Sequence, residues 1–133
     1  MCMLNRKEVL RRTTFANAQI YRIADFPTPA TLSENRRAWY EAEMDTFLLS
    51  RPRVIEDGLT YPDLEPPKGV RVMTEKQVCD YTSISRANLN RMIRDGRFPS
   101  PIKLSVAKIG YLKHEVDHWL KSLPRADWLN GTK

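Results

Sequence analysis

The first half of the chain repeats the second half, and this repeat restricts the possible folds more than any other feature of the sequence. At a shift of 69 residues the halves share Lys7/Lys76, Val9/Val78, Thr13/Thr82, Ala18/Ala87 and Arg22/Arg91. After a three-residue gap the shift becomes 72, and the halves share Phe26/Phe98, Pro27/Pro99, Pro29/Pro101, Leu32/Leu104, Ser33/Ser105, Glu43/Glu115, Asp45/Asp117 and Leu48/Leu120. Trp39 and Phe47 align with Tyr111 and Trp119. We therefore expect two tandem copies of one small unit.

The second copy, at residues 73–123, carries the clearer local signals. Thr74 with Gln77 forms a capping-box pattern that predicts the start of a short helix, and Val78 and Tyr81 are its apolar side. A turn at residues 82–84 separates this helix from the next one. Two helices joined by so short a turn are typical of a helix-turn-helix.

The second predicted helix has a buried side and a basic side. Ser85 is a favourable N-cap, and Asp95-Gly96 ends the helix because glycine readily adopts the left-handed conformation. One face holds Leu89, Met92 and Ile93. The opposite face exposes Arg86, Ala87, Asn90, Arg91 and Arg94. These are side chains of the kind that contact bases and phosphates in a DNA groove.

A hairpin and a third helix complete the predicted unit. Prolines at 99 and 101 exclude a helix there, because each lacks a donor and restricts the residue before it. Two short strands, at 102–104 and 109–112, then form a hairpin or wing with Lys108 at its tip. Helical spacing of apolar residues predicts a closing helix with Val116, Trp119, Leu120 and Leu123.

These motifs resemble the AlpA and excisionase-like proteins of the MerR-type winged-helix group, small regulators common on prophages and mobile elements. The resemblance lies in T-x-x-Q-V, S-R-x-x-L-x-R-x-I-R-D-G-R-F-P-x-P-I-K-L and G-Y-x-x-x-E-V-D-x-W-L, within residues 73–123. It implies a recognition helix in the major groove and a wing that reaches phosphate or the minor groove. The expected fold is α+β and mostly helical, with tandem small winged helix-turn-helix domains.

The first copy departs from this pattern in its second helix. Ala16 replaces the cap Ser85, a change that typically costs ~1 kcal/mol of helix stability. Arg22 is the single basic residue there, and the Asp-Gly-Arg turn is missing. The copy is still predicted to keep the capping box and the buried stripe, through Asn5, Glu8, Ile20, Ile23 and Ala24.

The predicted domains are residues 1–50, a linker at 51–71, and residues 72–133 with a C-terminal tail. The linker is rich in proline and glycine, but we expect it to be partly ordered through Val54, Ile55, Leu59, Tyr61 and Leu64. In the tail, Trp128 and Leu129 are expected to pack on the fold or on another copy.

Positive charge is concentrated in the second copy. Net charge is +1 for residues 1–50, −1 for 51–69 and +6 for 70–133. Since phosphate neutralisation dominates DNA affinity, the second copy is expected to be the stronger reader. Its predicted DNA-binding residues are Ser85, Arg86, Asn88, Asn90, Arg91, Arg94, Arg97, Lys103 and Lys108. In the first copy they are Asn17, Gln19, Tyr21, Arg22, Arg36 and Arg37.

A zinc-protease pattern, H-E-x-x-H, occurs at residues 114–118. Two arguments favour a chance match. A catalytic zinc requires three protein ligands, yet no further histidine exists and Asp127 is the only later carboxylate side chain. The first copy holds Ala42-Glu43-Met44-Asp45-Thr46 at the same place, so this helix forms without either histidine. Glu115 is instead expected to start the third helix, and we expect no metal, no cofactor and no enzymatic activity.

The expected function is sequence-specific binding of double-stranded DNA, as an excisionase (recombination directionality factor) or as a transcriptional regulator of a prophage or mobile element. An integrase partner and self-association along DNA are compatible with this role. The alternative is a protein-interaction module whose first copy docks an integrase or repressor; only DNA binding should weaken steeply with salt. No apolar run reaches membrane-spanning length and the N-terminus lacks a signal peptide, so a bacterial cytoplasmic location is expected.

Overall fold

In the computed structural model, which describes residues 2–16 and 19–125 except the side chain of Tyr21, the chain forms two tandem α+β modules. The first module contains β1 (Met3–Leu4), α1 (Arg6–Thr13), a 3-10 turn (Gln19–Tyr21), β2 (Ala30–Ser33), β3 (Arg36–Tyr40) and α2 (Glu41–Leu49). The second contains β4 (Val72–Met73), α3 (Glu75–Thr82), α4 (Arg86–Arg94), β5 (Ile102–Lys103), β6 (Ile109–Leu112) and α5 (Lys113–Lys121).

The two sheets repeat each other in strand order and in register. Both are antiparallel, in the order β1-β3-β2 and β4-β6-β5. Leu4 pairs with Trp39 in the first sheet, and Met73 pairs with Tyr111 in the second. These residues are related by the same shifts of 69 and 72 that align the sequences. The internal repeat is therefore a structural repeat.

The first helix of each module is capped in the same way at both ends. The side chains of Asn5 and Thr74 accept a hydrogen bond from the third helical N–H, and Thr14 and Ser83 end the helices at φ of 65° and 63°. Only Thr74 has the full capping box. The box predicted for the first module is thus half formed, because the carboxylate of Glu8 pairs instead with arginines of the same helix.

The second helix differs between the modules. In the second module it is the nine-residue α4, with Leu89 and Ile93 buried as predicted. In the first module the equivalent described residues form only a 3-10 turn, followed by irregular turns up to Asp25. Ile20 is buried there, but Ala24 is exposed. The prediction of a second α-helix in the first module is therefore wrong for the residues that the structure describes.

Each module packs its own aromatic pair edge to face beside its third helix. Phe98 contacts Trp119 at 4.7 Å between ring centres, and the equivalent Phe26 contacts Phe47 at 5.2 Å. Two predicted core residues lie elsewhere. Tyr81 is 47% exposed because its hydroxyl reaches Asp117 on α5, and Leu123 is exposed because α5 ends at Lys121.

The second sheet is buried on both faces, and one face belongs to the core of the first module. Val72 and Leu112 pair across β4 and β6, one residue from Met73 and Tyr111, so the two pairs point to opposite faces. Met73 and Tyr111 pack on α3, α4 and α5. The opposite face joins one continuous buried cluster with the first module, which includes Val70, Val72, Ile102, Leu104, Leu112, Leu4, Val9, Trp39, Met44 and Leu48. The second module therefore has one core of its own and shares another with the first module.

The predicted linker is ordered and crosses the second module. Bridges join Arg53 to Ile102 and Leu59 to Pro99. Backbone hydrogen bonds accompany them, including Val54 N–H to Pro101 O at 2.9 Å. We call residues 51–61 the strap. At the far end of the linker, the carboxylate of Asp45 on α2 accepts hydrogen bonds from the backbone N–H groups of Gly69 and Val70 at 2.9 and 2.8 Å.

Candidate nucleic-acid interface

The outer face of α4 is polar and basic, while its inner face is buried. Leu89 and Ile93 lie in the core of the second module, and Met92 is half-buried beside them. The remaining residues of the helix are exposed, namely Arg86, Ala87, Asn88, Asn90, Arg91 and Arg94. The structure thus brings together on one helix the side chains that the sequence predicted as groove-reading.

The position of α4 is fixed at both of its ends. Ser83 in the left-handed conformation turns the chain, and the Ser85 hydroxyl caps α4 by accepting from Asn88 N–H at 3.3 Å. After the helix, Gly96 takes a φ of +72°, a conformation that L side chains rarely adopt. The indole N–H of Trp119 then donates to the Arg97 carbonyl at 2.7 Å. α4 is therefore held as a rigid element on the core.

The basic side chains on and beside this face form pairs with nearby polar groups. Arg86 pairs with Glu75, Arg97 with Asp95 at 3.1 Å, and Arg91 donates to the Asn88 side chain at 3.4 Å. The side chains of Arg86 and Arg97 are 81% and 59% exposed. Exposed pairs of this kind contribute only ~0–1 kcal/mol, so a phosphate or a base edge can replace the partner at little cost.

The β5–β6 hairpin lies beside α4 and is also basic. The carbonyl of Lys108 accepts from Leu104 N–H at 2.9 Å and Ser105 N–H at 3.1 Å, which closes the hairpin tip. Lys103 is exposed, and the Val106 side chain projects fully into solvent. The hairpin predicted from the sequence is thus present, with both lysines on it.

A groove of about 560 Å³ separates α4 from the hairpin. Asn90, Arg91 and Arg94 line the helix side, and Ile109 lines the hairpin side. Val54 and Ile55 of the strap also line it, together with Ala87, Ile93, Pro101 and Tyr111. The sequence predicted that these strap residues would pack on a domain, but it gave no sign that they border the candidate interface.

The described residues of the first module do not assemble an equivalent face. Gln19 directs its side-chain oxygen to the backbone N–H of Ala16 at 2.7 Å, where Ser85 acts in the second module. Arg22, Arg36 and Arg37 are exposed, but Arg36 and Arg37 lie on the β2–β3 hairpin and not on a helix. Asn17 lies outside the described residues, as does the side chain of Tyr21.

The H-E-x-x-H segment is engaged in packing. The Glu115 carboxylate is held by the Arg53 guanidinium at 2.6 and 2.7 Å, and the ring of His118 contacts Tyr61 at 4.5 Å between centres. His114 Nδ1 is buried without a hydrogen-bond partner, and burial lowers the pKa of this imidazole. Across residues 2–16 and 19–125, no three His, Cys, Asp or Glu side chains are placed to hold a metal ion.

A helix pair with a short turn, a basic second helix and a basic hairpin are the parts of a small DNA-binding regulator. A family model described as "Prophage CP4-57 regulatory protein (AlpA)" matches residues 2–51 and again residues 71–125. The chain belongs to this family, and the two matched segments correspond to the two modules. No curated protein and no solved structure matches the chain. None of the helices in the described part of the chain has the length and apolarity needed to cross a bilayer.

Proposed function

We propose that the protein is a sequence-specific regulator that binds double-stranded DNA of a phage or mobile element, with α4 as the recognition helix of a winged helix-turn-helix. The observation that carries this proposal is the exposed face of α4, which stands on a rigid core and holds arginines and asparagines at helical spacing. A helix with such a face fits the major groove of B-DNA.

Base reading is assigned to Arg86, Asn90 and Arg91. Arginine forms two hydrogen bonds with guanine and asparagine forms two with adenine, each pair giving ~1–3 kcal/mol of discrimination. Arg86 and Asn90 are four residues apart and lie on one side of the helix, and Arg91 follows immediately. Ser85 and Asn88, at the N-terminal end of α4, complete the surface that would meet the DNA.

Phosphate contact is assigned to the basic residues around this face, namely Arg94, Arg97, Lys103 and Lys108. Contacts to phosphate position a protein on the duplex without carrying sequence information. The hairpin acts as the wing in this arrangement. Its strand β6 borders the groove through Ile109, and its two lysines, Lys103 and Lys108, add positive charge to the hairpin.

The first module is proposed to brace the second one and not to read bases. Its equivalent of α4 is a short 3-10 turn in the described residues, whereas its core residues cover a whole face of the second sheet. Arg22, Arg36 and Arg37 remain candidates for phosphate contact because they are exposed. This division also matches the charge, since the excess of positive charge lies after residue 69.

Selection of binding sites from random duplexes with the full chain tests this function. We expect one recurrent sequence motif, bound with an affinity that falls by orders of magnitude between roughly 50 and 200 mM salt if six or more phosphates are contacted. Recovery of no motif, together with salt-independent association with a protein partner, would reject DNA reading in favour of a protein-docking module. Mapping the selected motif to an attachment site or to a promoter then separates an excision role from a transcriptional one.

A further inference from the structure

The strap fills a groove on the second module, between α5 and the turn before β5. The guanidinium of Arg53 binds both oxygens of Glu115, at 2.7 and 2.6 Å, and also the Ser100 carbonyl at 2.7 Å. The Ser100 hydroxyl accepts from Ile55 N–H at 3.1 Å. Farther along, Tyr61 packs against His118. Glu115 is only 4% exposed, so the strap completes the surface of this module.

The first module has the equivalent groove; Arg51, the first residue of the strap, borders it, but in the described chain no strap runs through it. It is a cavity of about 770 Å³ lined by Asp25, Thr28, Glu43, Thr46 and Phe47 among others. At the shift of 72, Thr28 corresponds to Ser100, and Glu43 to Glu115. Both Thr28 and Glu43 are exposed. The acceptors that hold Arg53 on the second module are thus present and uncovered on the first.

The sheet edges beside the two grooves also differ, because the strap covers the edge of the second sheet and not that of the first. On the second module the strap runs along β5, where Lys103 N–H donates to the Pro52 carbonyl at 2.8 Å. β2 is the edge strand of the first sheet, and within residues 2–16 and 19–125 no bridge is formed on its outer side. An exposed edge strand offers unpaired N–H and C=O groups to another chain segment.

The sequence contains a second strap-like segment. Ser50-Arg51-Pro52-Arg53 follows α2, and Ser122-Leu123-Pro124-Arg125 follows α5 at the same shift of 72. In both cases the serine directly follows the last residue of the helix. Arg125, the equivalent of Arg53, is exposed. The chain therefore carries two strap motifs and two grooves, of which one motif and one groove are in contact.

The contact between the modules is of the head-to-tail kind. The face of the second sheet that enters the first module is formed by Val72, Ile102, Leu104 and Leu112. Its counterpart on the first module is formed by Met3, Ala30, Leu32 and Tyr40, and Leu32 is 60% exposed. The two modules thus use different surfaces, which leaves the first module with an open groove, an open edge strand and a sheet face on which Leu32 is exposed. Such an interface can be repeated by the next copy.

We propose that the segment Ser122–Arg125 of one chain docks in the open groove of the first module of a second chain, so that the protein associates head to tail. Arg125 pairs there with Glu43, as Arg53 pairs with Glu115. The charges are complementary, because the groove contributes Asp25 and Glu43 against the single guanidinium of Arg51. This association is independent of the proposed DNA binding, since neither α4 nor the β5–β6 hairpin takes part in it.

Sedimentation equilibrium of the full chain without DNA tests the proposal, with reductant present because Cys2 is exposed. The wild type should rise in mass with concentration from the micromolar to the millimolar range. Arg125→Glu and Glu43→Arg should each weaken association by at least ~tenfold. Lys121→Glu, the same charge change on the exposed end of α5, is the control and should associate as the wild type does.

Mixing the two weakened variants gives the sharper test. The intact Arg125 of the Glu43→Arg chain can dock in the intact groove of the Arg125→Glu chain, so the mixture should associate where neither variant does alone. Thermal melts of both variants check that each remains folded. A wild type that is monomeric at every concentration, single variants that associate normally, or a mixture that stays monomeric would each overturn the proposal. Monomers at every concentration would leave binding of the tail to its own chain as the alternative.

Discussion

The two modules share a scaffold but differ in the segment that would read DNA. They have the same strand register, the same left-handed residue after the first helix and the same edge-to-face aromatic pair. The second module then builds the nine-residue α4, where the described residues of the first module form a three-residue 3-10 turn. Residues that hold the scaffold are therefore separable from residues that form the candidate interface.

Local chemistry explains this difference. Ser85 caps α4 with its hydroxyl, and Gly96 allows the chain to leave the helix in the left-handed conformation. In the first module Ala16 has no side-chain acceptor, and its N–H is bound by Gln19 from within the turn. Three residues are also missing before Phe26. The shorter connection leaves too little chain for a full helix followed by a turn.

The largest effect is expected from separating the modules. A fragment of residues 69–133 would expose the face formed by Val72, Ile102, Leu104 and Leu112, all buried in the whole chain. Burial of four such side chains contributes roughly 6–12 kcal/mol, which is similar to the total stability of a small protein. We expect this fragment to be largely unfolded by circular dichroism. A cooperative melt close to that of the whole chain would show that the second module does not depend on the first.

The next largest effect is expected at the two equivalent arginines. Arg53→Met leaves the buried Glu115 carboxylate without its partner, which should lower the free energy of unfolding by ~3–5 kcal/mol. Arg125→Met, at the equivalent position after α5, should change it by less than ~0.5 kcal/mol because Arg125 is exposed. Urea unfolding at low protein concentration measures the free energy of unfolding of both variants. A loss for Arg53→Met as small as that expected for Arg125→Met would mean that the Arg53–Glu115 pair does not stabilise the fold.

A smaller effect is expected from one added methyl group on the second sheet. A Cβ on Gly110 would lie 2.3 Å from Val72 Cγ1 and 2.9 Å from Leu104 Cδ1. Gly110→Ala should therefore destabilise the protein by ~1–3 kcal/mol through overpacking. The first module carries Ala38 at the equivalent position; Ala38 is 4% exposed, but Leu32 on the same sheet face is 60% exposed. The reverse change, Ala38→Gly, should cost only ~0.5–1 kcal/mol. The same loss at both positions would contradict the asymmetry of the two sheet faces.

The smallest effect is expected from removing one positive charge from either hairpin. It compares the contributions of the two hairpins to DNA binding. Lys108 and Arg36 are equivalent at the shift of 72, and both lie in the hairpin of their module. Lys108→Ala should reduce the slope of log affinity against log salt by about one, because one phosphate contact is lost. Arg36→Ala measures whether the first hairpin also reaches the duplex. A slope that does not change in the Lys108 variant would remove the second hairpin from the interface.

Much of each module could be predicted from the sequence, because caps and apolar spacing are local signals. Thr74, Ser85 and Gly96 set the ends of α3 and α4 as predicted. Burial of the second sheet on both faces was not predicted. A signal did exist, since the β6 sequence Ile-Gly-Tyr-Leu is continuously apolar, which is typical of strands that are covered on both sides. The residues that cover the second face come from the first module, far away in the sequence. The spacing of apolar residues within one strand does not indicate such contacts.

The candidate site was also predicted in part. The exposed residues of α4 follow directly from helical periodicity, so Arg86, Asn90 and Arg91 were found. The role of Glu115 was not predicted, because its partner Arg53 is 62 residues away in the sequence. A helical position early in α5 suggested only an interaction with the helix dipole. In the structure this carboxylate is buried and binds the guanidinium of Arg53 in the strap.

In the proposed function, the second module reads DNA through α4 while the first module braces it. Arg91 and Arg22 are equivalent at the shift of 69, which makes them a matched pair. The decisive measurement is the ratio of affinities for the selected duplex and an unrelated duplex in the Arg91→Ala and Arg22→Ala proteins. We expect Arg91→Ala to lower this ratio by ~10- to 100-fold and Arg22→Ala to leave it unchanged. A ratio that falls equally in both variants, or only in Arg22→Ala, would contradict it.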